Sequence, residues 1–154
     1  VKKVRTSLEP DLVYPLLRGR DISRWRASPS AYILQVQDPE KRAGYDESWL
    51  KVTLPQTYAY LKQFEGILHR RSGFRKYFCA EVKDPQTGKR RLVPKAPFYS
   101  LYNVGPYTLA PFKVVWREQA AFLTTAVVGS VERKPVIPDH KLMLVPFDNE
   151  EEAH

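Results

Sequence analysis

Cysteine is almost missing from this chain: Cys79 stands alone, so no internal disulfide is possible, and the expected setting is a reducing, cytoplasmic one. The three histidines, His69, His140 and His154, are scattered and show none of the spacing of a metal site, so no metal is expected. No apolar run approaches the roughly 20 residues of a spanning helix, and no secretory signal stands at the start. No membrane partner is expected, and there is no internal repeat or low-complexity tract. Acid is the scarcer charge. Lys and Arg number 25 against 17 Asp and Glu, and four of the acids (Asp148, Glu150, Glu151, Glu152) crowd the end. Up to Phe147 the remaining 13 acids leave a net charge of +12. With a pI near 9.6, the chain is biased toward polyanions, nucleic acid first and an anionic membrane surface second. Its 154 residues suit one domain, 1–154, with enough chain to bury a core.

What is present centres on Tyr14 to Trp25. Leu16, Leu17, Ile22 and Trp25 offer apolar anchors, while Arg18, Arg20 and Arg24 project around Gly19. Without a Cβ, Gly19 accepts a positive φ and lets the backbone approach a ligand, so the guanidinium groups around it can reach a phosphate or a base edge. The plainer reading is a turn whose arginines are solvated or paired with Asp21.

In chain order, Val1 to Thr6 is basic and unpatterned and reads as a linker. Leu12 to Leu17 reads as a short strand broken by Pro15, and Tyr32 to Val36 as a better one, closed by Asp38-Pro39. Glu40 to Lys51 reads as loop. Leu54, Tyr58, Leu61, Phe64, Glu65 and Leu68 fall at helical steps, predicting one main amphipathic helix over about 54–71. Thr53 would cap it, Pro55 suits its first turn, and Gly73 would end it. Arg70, Arg71 and Arg75 at its end and exit complement the helix dipole or face a phosphate backbone. Phe78 to Lys83 and Lys89 to Val93 flank the turn Asp84-Pro85-Gln86-Thr87-Gly88, predicting a hairpin. Phe98 to Tyr102, Phe112 to Arg117, Leu123 to Val128 and Lys141 to Val145 read as further strands, and Asp148 to Glu152 as a first helical turn. The expected fold is α+β, a mostly antiparallel sheet with the helix packed on it.

Three constellations bear on chemistry. Asn103-Val104-Gly105-Pro106-Tyr107 shares letters with the Asn-Pro-Pro-Tyr turn by which amino-methyltransferases hold a flipped adenine. Val104 and Gly105 separate the Asn from the Pro, and no glycine-rich cofactor loop precedes it, so it reads as a turn. Pro10-Asp11 with Glu81-Val82-Lys83 has the letters of a magnesium-dependent nuclease, the alternative function carried by this sequence. The third is basic residues interleaved with aromatics: Arg18, Arg20, Arg24 and Trp25; Arg71, Phe74, Arg75 and Tyr77; Tyr99, Tyr102, Tyr107, Lys113, Trp116 and Arg117. Arginines bind phosphates and read guanine edges, and aromatic faces stack on displaced bases.

Leu16 to Trp25, then Thr57 to Phe64 ending in Arg70-Arg71, then Pro111 to Arg117, resemble in order and spacing the C-terminal specificity domain of TaqI-like adenine-N6 DNA methyltransferases. The domain type also occurs in fused restriction-modification enzymes, and the resemblance spans Leu16 to Phe147. It implies a target-recognition domain that binds double-stranded DNA and follows, in the same polypeptide, a catalytic domain that holds S-adenosylmethionine. No catalytic, metal or cofactor residue is then expected in this chain, which would be truncated at both ends. The residues expected on the DNA side are Arg18, Gly19, Arg20, Arg24, Arg70, Arg71, Arg75, Lys113 and Arg117. Lys113 and Arg117, at even spacing on one strand, would share a reading face.

Overall fold

The computed structural model describes residues 4–154, so the linker expected at Val1 to Thr6 lies partly outside the described residues. In order, the elements are β1 (Val13–Leu17), β2 (Ile22–Ser23), β3 (Arg26–Ala27), β4 (Ala31–Leu34), β5 (Gln37–Asp38) and β6 (Ala43–Gly44), then α1 (Glu47–Thr53), α2 (Pro55–Lys62), α3 (Glu65–Arg70) and α4 (Ser72–Tyr77). β7 (Cys79–Lys83), β8 (Arg90–Pro94), β9 (Phe112–Arg117), β10 (Thr125–Val128), β11 (Ile137–Pro138), β12 (Leu142–Phe147) and α5 (Glu150–Ala153) follow. The fold is α+β with mostly antiparallel pairing, and contacts group the chain into two compact units.

One unit joins Leu12–Gln35 to Gly105–His154. It holds the sheets β11-β1-β4 and β10-β9-β12 and the short ribbon β2-β3. Leu17, Ile22, Val115, Ala126, Val128, Val136 and Leu142 form its core. Pro15 is tolerated in the middle strand because it precedes the Leu16–Leu17 stretch that pairs β11, so its missing N–H removes no bond to that neighbour. The acidic end starts a helix as expected, with the Asn149 side chain accepting from the Glu152 N–H.

The other unit takes the residues up to Asp11 and Val36–Val104. The residues predicted as one helix over 54–71 form two helices, α2 and α3, parted at Gln63 and Phe64, with α1 before them and α4 after. Pro55 forces Leu54 out of the helical region (φ −132°, ψ 66°), so α1 ends there and Pro55 opens α2. Thr53 therefore ends one helix rather than capping the next. Phe64 (φ −108°, ψ 4°) and Arg71 (φ −58°, ψ 134°) also leave helical geometry, with no proline after them, and Gly73 sits inside α4. The loop expected over Glu40 to Lys51 instead holds β6 and the start of α1, whose Asp46 cap accepts from the Trp49 N–H at 3.0 Å.

Phe98 to Tyr102 is not a strand. Phe98, Tyr99 and Ser100 are all buried, without the alternation of a strand. The buried Gln37 amide takes the place of a neighbouring strand: its Nε2 donates to the Tyr99 carbonyl and its Oε1 accepts from the Leu101 N–H, both at 2.9 Å. The Tyr99 hydroxyl donates to the Tyr45 carbonyl, and burial raises its pKa well above the usual range.

Glu9 does the work of a cap for α2. Its carboxylate accepts from the Gln56 and Thr57 N–H groups at 2.8 Å and from the Thr57 hydroxyl at 2.7 Å. Burial pushes this carboxyl up, but the bonds outweigh it and hold the pKa at about 2 rather than 4.5. A depressed carboxylate stabilises the fold fully above its unfolded pKa and loses that contribution as the pH falls toward the folded value. Thermal melts of wild type and Glu9→Gln are therefore expected to differ at pH 5 and above and to converge toward pH 2. A constant difference would assign Glu9 a packing role only.

Candidate nucleic-acid interface

The arginine loop is a single 3-10 turn, Gly19–Asp21, entered from β1. Asp21 folds it: the Arg18 N–H donates to Asp21 Oδ2 at 2.8 Å, and the Asp21 N–H donates to the Arg18 carbonyl at 2.9 Å. Burial works to raise the Asp21 carboxyl, but hydrogen bonds from Ser30 and the Arg18 N–H, with Arg20 nearby, hold it below its ordinary value. Arg20 has its side chain 69% exposed, with Nε 3.8 Å from Asp21, a contact that leaves most of the guanidinium in solvent. Gly19 does not use its conformational freedom. Its φ is not positive, and a Cβ there would meet nothing within 4 Å.

The backbone carbonyls of the loop are held by Arg117. Its Nε donates to the Gly19 carbonyl and its Nη2 to the Ile22 carbonyl, each at 2.7 Å. Two parallel N–H donors at fixed spacing suit this, and a lysine cannot reproduce it. Gly19 and Arg117 also line a cleft of about 430 Å³ with Glu118, Gln119, His140 and Lys141. Lys113 lies on the same side of β9, which alternates Lys113, Val115, Arg117; this side is buried at Lys113 and Val115 and exposed at Arg117. Lys113 is 1% exposed, and its Nζ donates to the Ala110 carbonyl at 2.5 Å. Burial pulls its ammonium down to about 8. The expected reading face thus holds one buried cation and one that braces the loop.

Arg24 and Trp25 form the two-residue tip between β2 and β3, where Ser23 pairs with Arg26. Trp25 has φ 63°, a left-handed backbone that glycine or asparagine takes freely and a bulky residue adopts at a cost on the order of 1–3 kcal/mol. It is 72% exposed all the same, with the Arg24 guanidinium 5.8 Å from its ring centre. Its backbone N–H donates to the Thr125 carbonyl at 3.1 Å, and a cavity of about 370 Å³ is lined by Arg24, Trp25 and Phe122 to Thr125.

In the other unit, Arg70 and Arg75 are exposed and line a cavity of about 450 Å³ together with Arg90, His69, Phe74 and Cys79. Arg71 is turned away from it. Its Nε donates to the Leu68 carbonyl and its Nη2 to the carbonyls of Phe98 and Ser100, all at 3.0 Å. Beside this site, Tyr77 and Tyr102 are exposed and stacked, with ring centres 3.8 Å apart, and Lys76 lies over the Tyr77 ring. A hydrogen bond from Lys76 is the main cause that holds the Tyr77 hydroxyl below its usual range.

The nine expected residues divide accordingly. Arg20, Arg24, Arg70 and Arg75 are exposed, Arg18 and the Gly19 backbone are half-exposed, and Arg71, Lys113 and Arg117 spend donors on carbonyls of the chain itself, Arg117 while its residue stays exposed. Of the residues lining these cavities, Arg90 and Lys141 stand outside the nine expected, as does Trp25, which the sequence offered only among the interleaved aromatics. Arg90 is legible only from the register of the hairpin, Lys141 only from the cleft, and Trp25 from its place among arginines. The Asn103 stretch is a turn as read, with Asn103 at φ 63°. Of the nuclease letters, Glu81 is paired with Arg90 at 3.3 Å. Among the described residues no three His, Cys, Asp or Glu side chains come together as a metal site would need. Among them, too, no helix is long and apolar enough to cross a membrane.

No protein-family model matches the chain. Over 147 residues it is 24% identical to the Type II methyltransferase M.NspV of Nostoc sp.. That similarity covers 95% of this chain and 26% of the other protein, so the chain spans about a quarter of the length of the curated relative it matches. The similarity associates the chain with a Type II methyltransferase and with a minor part of it.

Proposed function

We propose that this chain is the DNA target-recognition domain of an adenine-N6 DNA methyltransferase of a restriction-modification system. The observation that carries the reading is the similarity along nearly the whole chain to about a quarter of a Type II methyltransferase. Two groups of exposed arginines in a strongly basic chain support it. In this reading the methyl transfer, and the S-adenosylmethionine it consumes, belong to a catalytic domain of the same polypeptide, and no residue of this chain is assigned to either. Arg70 and Arg75, with Arg90, hold phosphates. Arg18, Arg20 and Arg24 reach the DNA from the loop and the tip beside it. Arg117 and Asp21 act as positioning residues that set the loop's backbone, and Lys113 anchors β9.

The test is binding of labelled duplex DNA, followed by anisotropy across a salt series. Log affinity is expected to fall linearly with log salt, with a slope of about −0.9 per phosphate neutralised. Arg70→Ala or Arg75→Ala should flatten that slope by about one unit and weaken all DNA sequences alike. Affinity unchanged between low and physiological salt would overturn the proposal.

A further inference from the structure

The tip at Trp25 combines features that ordinary surface packing does not explain. A tryptophan occupies the one position of a two-residue loop where a glycine or asparagine would sit without strain, and it is 72% exposed there. Phe122 and Leu123, exposed by 83% and 80%, line the same cavity. The bond from the Trp25 backbone N–H to the Thr125 carbonyl holds the tip against the segment that carries them. Three large apolar side chains in solvent at one place mark a surface meant to be covered. Around that cavity the charge is of one sign, from Arg24, with no acid among the lining residues. An apolar, planar surface rimmed by a guanidinium matches a nucleobase next to its phosphate better than an apolar protein face.

We propose that Trp25 stacks on a base that has left the duplex stack, with Phe122 and Leu123 filling the space beside it and Arg24 holding the adjoining phosphate. The inference rests on the DNA-binding reading above and adds to it the state of the DNA that the tip takes. The indole is 72% exposed, and stacking needs no particular base, because every base presents a π-face. Opening a base step costs energy, so a duplex in which one base is already unpaired favours this tip.

The affinity of the chain for a duplex carrying one bulged base, relative to the fully paired duplex, measures this directly. Wild type is expected to prefer the bulged duplex by about tenfold, and Trp25→Ala to bring the ratio close to one, while Trp25→Phe keeps most of it. Trp25→Gly, which takes the left-handed backbone without strain, should lose the ratio while melting no lower than wild type. A wild-type ratio of one overturns the inference, as does a ratio that survives in Trp25→Ala, the result expected if another protein covers the patch. In both cases salt-dependent binding to the paired duplex leaves the DNA-recognition reading standing. Failure to bind either duplex at low salt overturns both.

Discussion

Arg71→Ala is expected to lower the stability of its unit by about 3 kcal/mol, whereas Arg70→Ala and Arg75→Ala leave melting close to wild type. The three arginines are near neighbours in sequence and alike in charge, but their donors have different partners. Arg71 bonds the carbonyls of Leu68, Phe98 and Ser100, and two of these belong to a buried segment with no neighbouring strand. Truncation takes this donor from the carbonyls of Phe98 and Ser100, while that of Leu68 keeps the Arg71 backbone N–H, and each hydrogen bond from a charged donor is worth roughly 1.5–3 kcal/mol. Phe98 itself is 1% exposed and meets Tyr99 edge-to-face at 4.9 Å, so loosening its backbone disturbs an aromatic core. Arg71→Lys is not expected to rescue the loss, because one ammonium cannot span three carbonyls from the position of a planar fork. Melting curves of the four variants check this. Equal effects of Ala at 70, 71 and 75 would mean that the carbonyl bonds contribute nothing.

The second large effect is a pH dependence from Lys113. Its folded-state pKa, pulled down to about 8 by burial, lies below the ordinary 10.5 of an unfolded lysine. Between these values the unfolded chain holds a proton that the folded chain has released, so stability rises with pH through this window. The integrated gain is on the order of 3 kcal/mol. Tyr14 and Tyr99, raised by burial, act in the opposite direction at the alkaline end, since the unfolded tyrosines ionise first. The clean measure is therefore the difference in stability between wild type and Lys113→Met, in which the tyrosine contributions cancel. That difference is expected to climb in favour of wild type from pH 8 to 10.5. A flat difference would mean that Lys113 is hydrated and that the inner face of β9 is open to solvent.

Much of the local structure was written in the residues. The turn Asp84 to Gly88 places β7 against β8, with Gly88 at φ 67° and Asp84 Oδ1 accepting from the N–H groups of Gln86 and Thr87. β9 has the bounds read for it, Phe112 to Arg117, because six β-branched, aromatic and long side chains run there without interruption. The breaks in the helical stretch were also partly legible, since Leu54 precedes a proline and is disfavoured in a helix for that reason alone. The spacing of Leu54, Tyr58, Leu61 and Leu68 conceals this: a stripe at helical steps reports which residues are helical but not whether one axis runs through them. Phe98 to Tyr102 misled in the same way. A run of aromatic residues carries the composition of a strand, and the distant Gln37 and Arg71 supply the partners that make it a buried turn.

The sequence by itself determined the net charge, the α+β class and the positions of most strands, because these follow from composition and from side-chain periods of two and three to four residues. Only the tertiary structure decided which cations remain open to a ligand. A guanidinium is the same group whether it meets a phosphate or a backbone carbonyl, and the choice depends on partners far away in the chain: Phe98 and Ser100 for Arg71, Gly19 and Ile22 for Arg117. Lys113 follows the same rule through the pleat, since it shares a side of β9 with the fully buried Val115, and alternation takes it inward regardless of its charge.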